Sequence, residues 1–417
     1  MLVNYTIFFF LTPLMLNKLG EEQYSIWLLL SNIILYFSLS NFGLFNAFSV
    51  ELPKVKESKT DTDRLVNTVL FSLLGIGCLS SFFFILLEVS IHHFFKIHPD
   101  FLFITQLSLL FFFLTFLISL IGGMFDYILI STNHLVSKNL IEIAKVTCIG
   151  GASIVLVVMG KSIVYISVAN FLFTFAFFFI TFYTCKKVLK YKVNMHMFDL
   201  SLLKKLTSPS WHYFIMGIAG MLVFYSDNLL ISKLKGVEFV GLYAVTYRLT
   251  DVCLKVISRL SATKYPKIIT LASEKNYKGL LKLHNRLLMM NLAITLPICG
   301  IIFFFGKDIL TLWLGNKYVY NVTILRTFAF FTLFMVCAQN TGTFIGGLGI
   351  HKRFAYMGLA EGAVNLILSY LLYQYFDLAG IALGTLFAHV LTNGWFGYFE
   401  FYRFILPKTI KERHASV

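Results

Sequence analysis

"CKKVLKYKVNMHMFDLSLLKKLT", residues 185–207, packs six lysines between two long series of apolar runs. An α-helix rises 1.5 Å per residue, so a run of about 18–25 apolar residues crosses a hydrocarbon core of ~30 Å. By that criterion six spans precede this connection: 2–19, 24–50, 65–90, 101–127, 140–159 and 162–184. Six follow it: 208–232, 238–260, 285–306, 319–348, 354–375 and 378–404. An even number in each half makes both halves start on the same side of the membrane, so any repeat between them is parallel, with its axis along the membrane normal. The expected organisation is an all-α integral membrane protein of about 12 transmembrane helices: a six-helix bundle over 1–184, a basic interfacial linker over 185–207, and a second six-helix bundle with a short basic tail over 208–417. The later part of the linker reads as a basic amphipathic segment on the inner leaflet.

Composition agrees. The chain has 417 residues, of which 58% are hydrophobic and only 13% charged, with 46 Phe and a mean hydropathy of +0.78, whereas soluble domains carry roughly 25% charged residues. A net charge of +15 raises nucleic acid as a partner, but the basic residues sit in short segments between apolar runs and form no basic face, which argues against it. Their placement sets the orientation instead. Of the 35 Lys and Arg, 26 fall on one side of the expected topology, eight on the other, and Arg248 lies inside a span. Since cytoplasmic loops carry the excess of positive charge, both termini are expected in the cytoplasm. The opening "MLVNYTIFFFLTPLMLNKLG" lacks a basic leader and a cleavage site, so it reads as a first membrane helix. The six cysteines are scattered without CxxC spacing and read as small buried hydrophobes.

Catalytic motifs are nearly absent, and no enzyme activity is expected. "MGKS" (159–162) ends like a phosphate-binding loop, but Val155 stands where its first glycine belongs. "HHFFKIH" (92–98) has only Asp100 as a nearby partner and reads as an interfacial histidine cluster. The glycine pairs "GTFIG" (342–346) and "GIALG" (380–384) suit close helix packing. With no nucleotide site, energy has to come from a gradient, from the substrate or from another protein.

Ionisable residues inside spans cost about 2.5–3.5 kcal/mol on insertion scales and so need a reason. Asp227 lies near the middle of the seventh span, and Arg248, Asp251, Lys255 and Arg259 form one stripe along the eighth at helical spacing. Such a face belongs in the bundle or a hydrated cavity. A fixed guanidinium suits an anionic solute better than it suits packing. Lys255 and Arg259 lie nearer the interface, where snorkelling also accounts for them. Glu361 and Asn365 share a face of the eleventh span, while Asn41 and Asn46 are polar positions of the second. Internal symmetry is suggested by "NKLGEEQYSIWLLLSNI" (17–33) and "SKLKGVEFVGLYAVTYRL" (232–249), which share a Lys-Leu…Gly turn, an acidic residue and an aromatic entering the next helix.

Three stretches resemble the bacterial oligosaccharide flippases of O-antigen and capsule export, the polysaccharide branch of the multidrug/oligosaccharidyl-lipid/polysaccharide exporter superfamily. They are "LTPLMLNKLGEEQYSIWLLLSNIILYFSLSNFGLFNAFSVELPK" (11–54), "SDNLLISKLKGVEFVGLYAVTYRL" (226–249) and "AEGAVNLILSYLLYQYFDLAGIALGT" (360–385). The resemblance implies a MATE-like, V-shaped pair of six-helix bundles in the bacterial inner membrane, with a central cavity lined mainly by helices one, two, seven and eight. It implies a substrate of undecaprenyl pyrophosphate bearing an oligosaccharide repeat unit, carried to the outer leaflet by alternating access, with membrane lipids and a polymerase as further partners. Asp227, Arg248, Glu361 and Asn365 occupy positions that carry the family's pattern. In this picture Arg248 with Lys255 meets the pyrophosphate, and Tyr243, Tyr247, Asn41 and Asn46 face the cavity. Asp227 closes it by an ionic contact or takes up a proton or sodium ion, and Glu361 and Asn365 serve coupling or gating. No cofactor is expected. Two departures stand out. The family's early basic residue in helix one has no counterpart, implying a truncated start or loss of that charge, and the family's "DxG" at the end of helix two is "NFG" here, with Asn41. The alternative is a cation-coupled exporter of small amphipathic drugs on the same fold. It would favour an acidic, aromatic cavity, against which the Arg248 stripe argues.

Overall fold

The computed structural model describes residues 2–315 and 321–415. Lys317 and the first two residues of the expected tenth span lie outside the described residues, as do the side chains of Lys411 and Arg413. The chain is 90% helical, and the described residues contain no strand. The helices are α1 (Leu2–Ser38), α2 (Leu44–Val55), α3 (Lys59–Phe94), α4 (Pro99–Ser131), α5 (Leu135–Val158), α6 (Ile163–Val188), α7 (Leu200–Phe224), α8 (Ser226–Leu234), α9 (Glu238–Ala262), α10 (Tyr265–Ser273), α11 (Tyr277–Leu314), α12 (Val322–Gly347), α13 (His351–Phe376), α14 (Leu378–Leu391) and α15 (Asn393–Ala415).

Among the described residues nine helices are long and apolar enough to cross a membrane, and the bent pair α7–α8 makes a tenth. This is a multi-pass membrane protein. The apolar windows of α3, α5 and α6 are only 17–22% buried within the protein, which leaves side chains such as Phe82, Phe83 and Phe179 exposed where only hydrocarbon would cover them. The remaining two of the twelve expected spans have physical explanations. α1 is two helices broken at Gly20, whose φ of 86° is open to glycine. The ring of Phe8 lies 5.5 Å from that of Trp27. On a straight helix those residues would be roughly 28 Å apart, so the chain doubles back at Gly20. α9 falls short of the apolarity of a span because Arg248, Asp251 and Lys255 sit within it. The second expected span is itself interrupted, by Phe42 and Gly43 in left-handed conformation between α1 and α2.

Contacts divide the chain into two compact units. The first is Met1–Gly217 with Ile231–Gly241, and the second is Ile218–Leu230 with Leu242–Val417. The first unit packs α1 and α3–α6 around aromatic pairs such as Phe84 of α3 on Phe113 of α4, stacked at 4.0 Å. It also holds the α8–α9 turn. The Lys96 amide donates to the Ser232 carbonyl (3.2 Å), the Val237 amide donates back to that of Lys96 (3.3 Å), and Ser25 Oγ accepts from the Gly241 amide (2.9 Å). Gly236, like Gly20, has positive φ, so both glycines quoted in the repeat stand where a helix ends and the chain turns.

The linker is attached to α3 as well as being basic. Asn67 Nδ2 donates to the Lys192 carbonyl (2.7 Å), Asn67 Oδ1 accepts from the Asn194 amide (2.8 Å), and Asp63 Oδ1 accepts from the Lys192 amide (2.9 Å). Asp199 pairs with Arg64 and caps α7, accepting from the Ser201 hydroxyl (2.6 Å) and the Ser201 amide (2.7 Å). The Ser201 hydroxyl, then the Leu202 and Ser201 amides and the Arg64 charge, hold its carboxyl down at about 2, from 3.8. A depressed carboxyl contributes stability that is complete above its unfolded value and lost as pH falls through its folded one. Hydrogen-exchange protection of the Ser201 and Leu202 amides, corrected for intrinsic rates, should therefore hold steady down to about pH 4 and fall between about pH 4 and 2. Protection unchanged to pH 2 would mean that the carboxylate does not hold this cap.

The second unit is built on the α13–α14 hairpin, which turns at Asp377 (φ 52°). Gly384 lies so close to α13 that a Cβ there would sit 2.5 Å from the Ser369 nitrogen, and one at Gly380 would overlap the Leu372 carbonyl. "GIALG" is thus a required close approach. "GTFIG" is looser at both ends: a Cβ at Gly342 or Gly346 would meet only ordinary contacts, the nearest at 3.5 Å.

Candidate functional site

The expected continuous seventh span bends by 44° between Phe224 and Ser226. Asp227 falls in the first turn of α8, where a helix N-terminus favours negative charge. The Leu222 carbonyl at the break accepts from the Ser226 hydroxyl and from Asn365 Nδ2 (3.3 Å), as exposed backbone must be satisfied within a bilayer.

Around Asp227, which is buried, three neutral groups converge. Tyr243 OH donates to Oδ2 at 2.6 Å, Thr385 Oγ1 donates to the same oxygen at 2.8 Å, and Asn365 Nδ2 donates to Oδ1 at 3.4 Å. A cavity of about 20 Å3, lined by Asp227, Asn228, Tyr243, Tyr247, Phe328 and Thr385 among others, adjoins them; that is room for one water or a small ion. Its oxygen donors suit a proton or a hard cation. The described residues contain no group of three or more His, Cys, Asp or Glu arranged for a metal.

One helical turn along the hairpin lies a second polar layer. His389 Nδ1 is 2.7 Å from Glu361 Oε1, and Asn393 Nδ2 donates to Glu361 Oε2 at 2.7 Å. All three residues are buried. Ser369 extends the first layer by donating to Asn365 Oδ1 (3.0 Å).

Of the residues expected at the site, Asp227, Tyr243 and Asn365 are therefore brought together, and Glu361 lies in the adjacent layer. Arg248, Asp251 and Lys255 form a separate group on α9. Asp251 Oδ2, buried, accepts from Lys255 Nζ (2.7 Å) and from Arg248 Nη1 (3.5 Å). The trio carries one net positive charge, with the Arg248 side chain 26% and that of Lys255 38% exposed. The remaining expected residues are placed as follows. The Tyr243 hydroxyl, expected to face a sugar, is taken up by Asp227, because a buried carboxylate needs donors. Tyr247 packs its ring 4.9 Å from that of Phe328, in the wall of the Asp227 cavity. Asn41 caps a turn: its Nδ2 donates to the Ser38 carbonyl (2.8 Å) and its Oδ1 accepts from the Gly43 amide (2.8 Å). Asn46, half-buried, lies in the first turn of α2. Among the described residues Asp227 meets no cation within 4.0 Å, and its bonds run to the neutral donors Tyr243, Thr385 and Asn365.

Residues 1–272 match the family model described as polysaccharide biosynthesis protein. The chain belongs to this family. No curated protein sequence matches it. Among solved structures it is similar to an inward-facing multidrug resistance MATE family transporter of the MOP superfamily, with a TM-score of 0.79 at 15% identity over 98% of this chain and 96% of that one. It is also similar to the lipid II flippase MurJ in an inward closed conformation, with a TM-score of 0.77 at 16% identity over 98% of this chain and 89% of that one. At these identities the likeness is one of fold alone.

Sequence reasoning missed Thr385, His389 and Asn393. A signal was present. In an antiparallel hairpin, residues equidistant from the turn face one another, and Asn365 with Thr385, and Glu361 with His389, are each symmetric about residue 375. The i, i+4 spacing on both helices then places the pairs in consecutive layers.

Proposed function

We propose that this polysaccharide biosynthesis protein is a flippase that carries undecaprenyl-pyrophosphate-linked oligosaccharide repeat units from the cytoplasmic to the outer leaflet of a bacterial inner membrane, by alternating access and without enzymatic chemistry. The family match carries the reading; the fold likeness to a lipid flippase and the cationic group on α9 support it. A lipid-linked pyrophosphate has a head too polar for hydrocarbon and a tail that need not leave it. In this reading Arg248 with Lys255 binds the pyrophosphate by charge-assisted hydrogen bonds, and Asp251 holds both side chains in place. Asp227 exchanges a proton or sodium ion to couple the cycle to a gradient. Both termini lie in the cytoplasm, as the lysine and arginine distribution suggests, and a polymerase receives the product outside.

Arg248→Ala should reduce surface polysaccharide in a complemented knockout by at least about tenfold, since one charge-assisted hydrogen bond is worth ~1.5–3 kcal/mol. Arg248→Lys should restore only part, lacking the planar fork. Protein abundance should stay unchanged. Polysaccharide at the normal level in the Ala variant removes Arg248 from the mechanism. A second reading, a cation-coupled drug exporter, is favoured by the two buried acids Asp227 and Glu361. Growth of the knockout on drug plates, beside its surface-glycan profile, separates the two.

A further inference from the structure

The Glu361–His389–Asn393 layer is more than a hydrogen bond between helices. Two turns away on α13, Ser369 Oγ bonds the Ile381 carbonyl of α14 (3.1 Å) with no acid between them, so packing alone does not call for one. Both carboxylate oxygens of Glu361 are engaged, one with His389 Nδ1 and one with Asn393 Nδ2, with the Glu361 side chain 4% and that of His389 1% exposed. Among the described residues, His389 is the sole ion-pair partner within 4.0 Å of Glu361.

Among the described residues, no other cation lies within 4.0 Å of Glu361. From α12 comes the ring of Phe331, edge-on to His389 at 5.6 Å. From α15 comes Asn393. From α7 comes Leu222, against Gly362. From α8 comes Asp227, a turn away through its bonds to Asn365 and Thr385. Arg353 and Arg403 lie two turns or more farther along α13 and α15 and pair with Glu400.

Counting protons then gives two states. If Glu361 is ionised and His389 carries hydrogen on Nδ1 alone, the pair has a net negative charge, buried and beside the carboxylate of Asp227. Adding one proton on Nε2, with the shared proton kept on Nδ1, makes the pair neutral: an imidazolium against a carboxylate. The two atoms left without a partner, His389 Nε2 and Asn393 Oδ1, are the places where that proton and a water to carry it would go.

We propose that Glu361 and His389 together form a proton-binding site, separate from the Asp227 pocket, that loads and releases one proton at His389 Nε2 during transport. Asn393 is a positioning residue that orients the carboxylate. The site rests on the reading of the chain as a gradient-driven transporter. It deepens that reading by assigning a proton to a histidine for which the family pattern gives no role.

The test is nitrogen NMR of the full chain, labelled with 15N-histidine, in detergent micelles between pH 5 and 9. Loss of a signal pair in His389→Gln assigns His389 among the ten histidines, and the unchanged signals of the others show that variants remain folded. At pH 6 both nitrogens of His389 should be protonated in the wild type, with Nε2 losing its proton as pH rises. In Glu361→Gln, where no carboxylate balances an imidazolium, one nitrogen should be bare at pH 6. A wild-type ring with one bare nitrogen at every pH, or a protonation state that Glu361→Gln leaves unchanged, overturns the proton site. Arg248→Ala tests the transport reading independently. A failed titration with polysaccharide still lost in Arg248→Ala removes the proton site alone, whereas a normal titration with export intact in Arg248→Ala removes the substrate-binding assignment alone.

Discussion

Membranes of cells producing Gly380→Leu should yield little folded protein. The α13–α14 hairpin turns within two residues and brings its helices together at backbone distance: a Cβ on Gly380 would overlap the Leu372 carbonyl, and one on Gly384 would lie 2.5 Å from the Ser369 nitrogen. These neighbours are backbone, so no rotamer change relieves the clash, and the helices have to separate. That separation breaks Ser369 Oγ from the Ile381 carbonyl (3.1 Å) and draws Thr385 and Asn365 away from each other across Asp227. Overpacking alone costs about 1–3 kcal/mol, and each buried polar group left without its partner adds ~1–3 kcal/mol, which together approaches the whole stability of a typical domain. Size-exclusion chromatography of fluorescently tagged protein in detergent should show aggregate in place of a single peak. Gly342→Ala is the contrast, because its Cβ would meet only Phe354 at 3.5 Å. A monodisperse Gly380→Leu peak with an unshifted melting temperature would mean that the hairpin is not packed as described.

The same hairpin shows what the sequence made legible and what it did not. Span positions follow from hydropathy, because the price of a polar backbone in hydrocarbon leaves helices as the only solution for apolar runs of this length. Gly20 and Gly236 were visible as turns, since glycine between a helix end and an acidic residue has few other uses. The bend at Tyr225 was not visible. No proline marks it, and the groups that satisfy the freed Leu222 carbonyl come from Ser226 and from Asn365, 143 residues away. The polar residues of α13 were recognisable as costly, but their partners were not: Thr385 and His389 read as minor interruptions of an apolar run until the hairpin register pairs them. Spacing makes Arg248, Asp251, Lys255 and Arg259 one polar stripe, and the structure adds that Asp251 draws both Arg248 and Lys255 to a single carboxylate oxygen. Spacing reveals which residues share a helix face, and only tertiary structure reveals which charges on it are already spent.

Asp227 should separate folding from transport. In Asp227→Leu the hydroxyls of Tyr243 and Thr385 lose the oxygen they share, at 2.6 and 2.8 Å. At ~1–3 kcal/mol for each buried donor left unpaired, this variant should be unstable and scarce in the membrane. Asp227→Asn keeps the shape and one acceptor oxygen, so it should reach the membrane at normal levels with a melting temperature within a few degrees of the wild type. Its amide cannot take up a proton or balance a cation. If Asp227 carries the coupling charge, polysaccharide on the surface should fall at least about tenfold, the consequence of ~1.4 kcal/mol lost from the rate-limiting step. The pair of variants discriminates between roles for the carboxylate. A purely structural acid predicts that Asp227→Asn exports normally and that Asp227→Leu fails only through its abundance, whereas a coupling acid predicts that the well-folded Asn variant fails as well. Normal export by Asp227→Asn would therefore return Asp227 to the role of a helix-break cap, held by Tyr243, Asn365 and Thr385 for structural reasons alone.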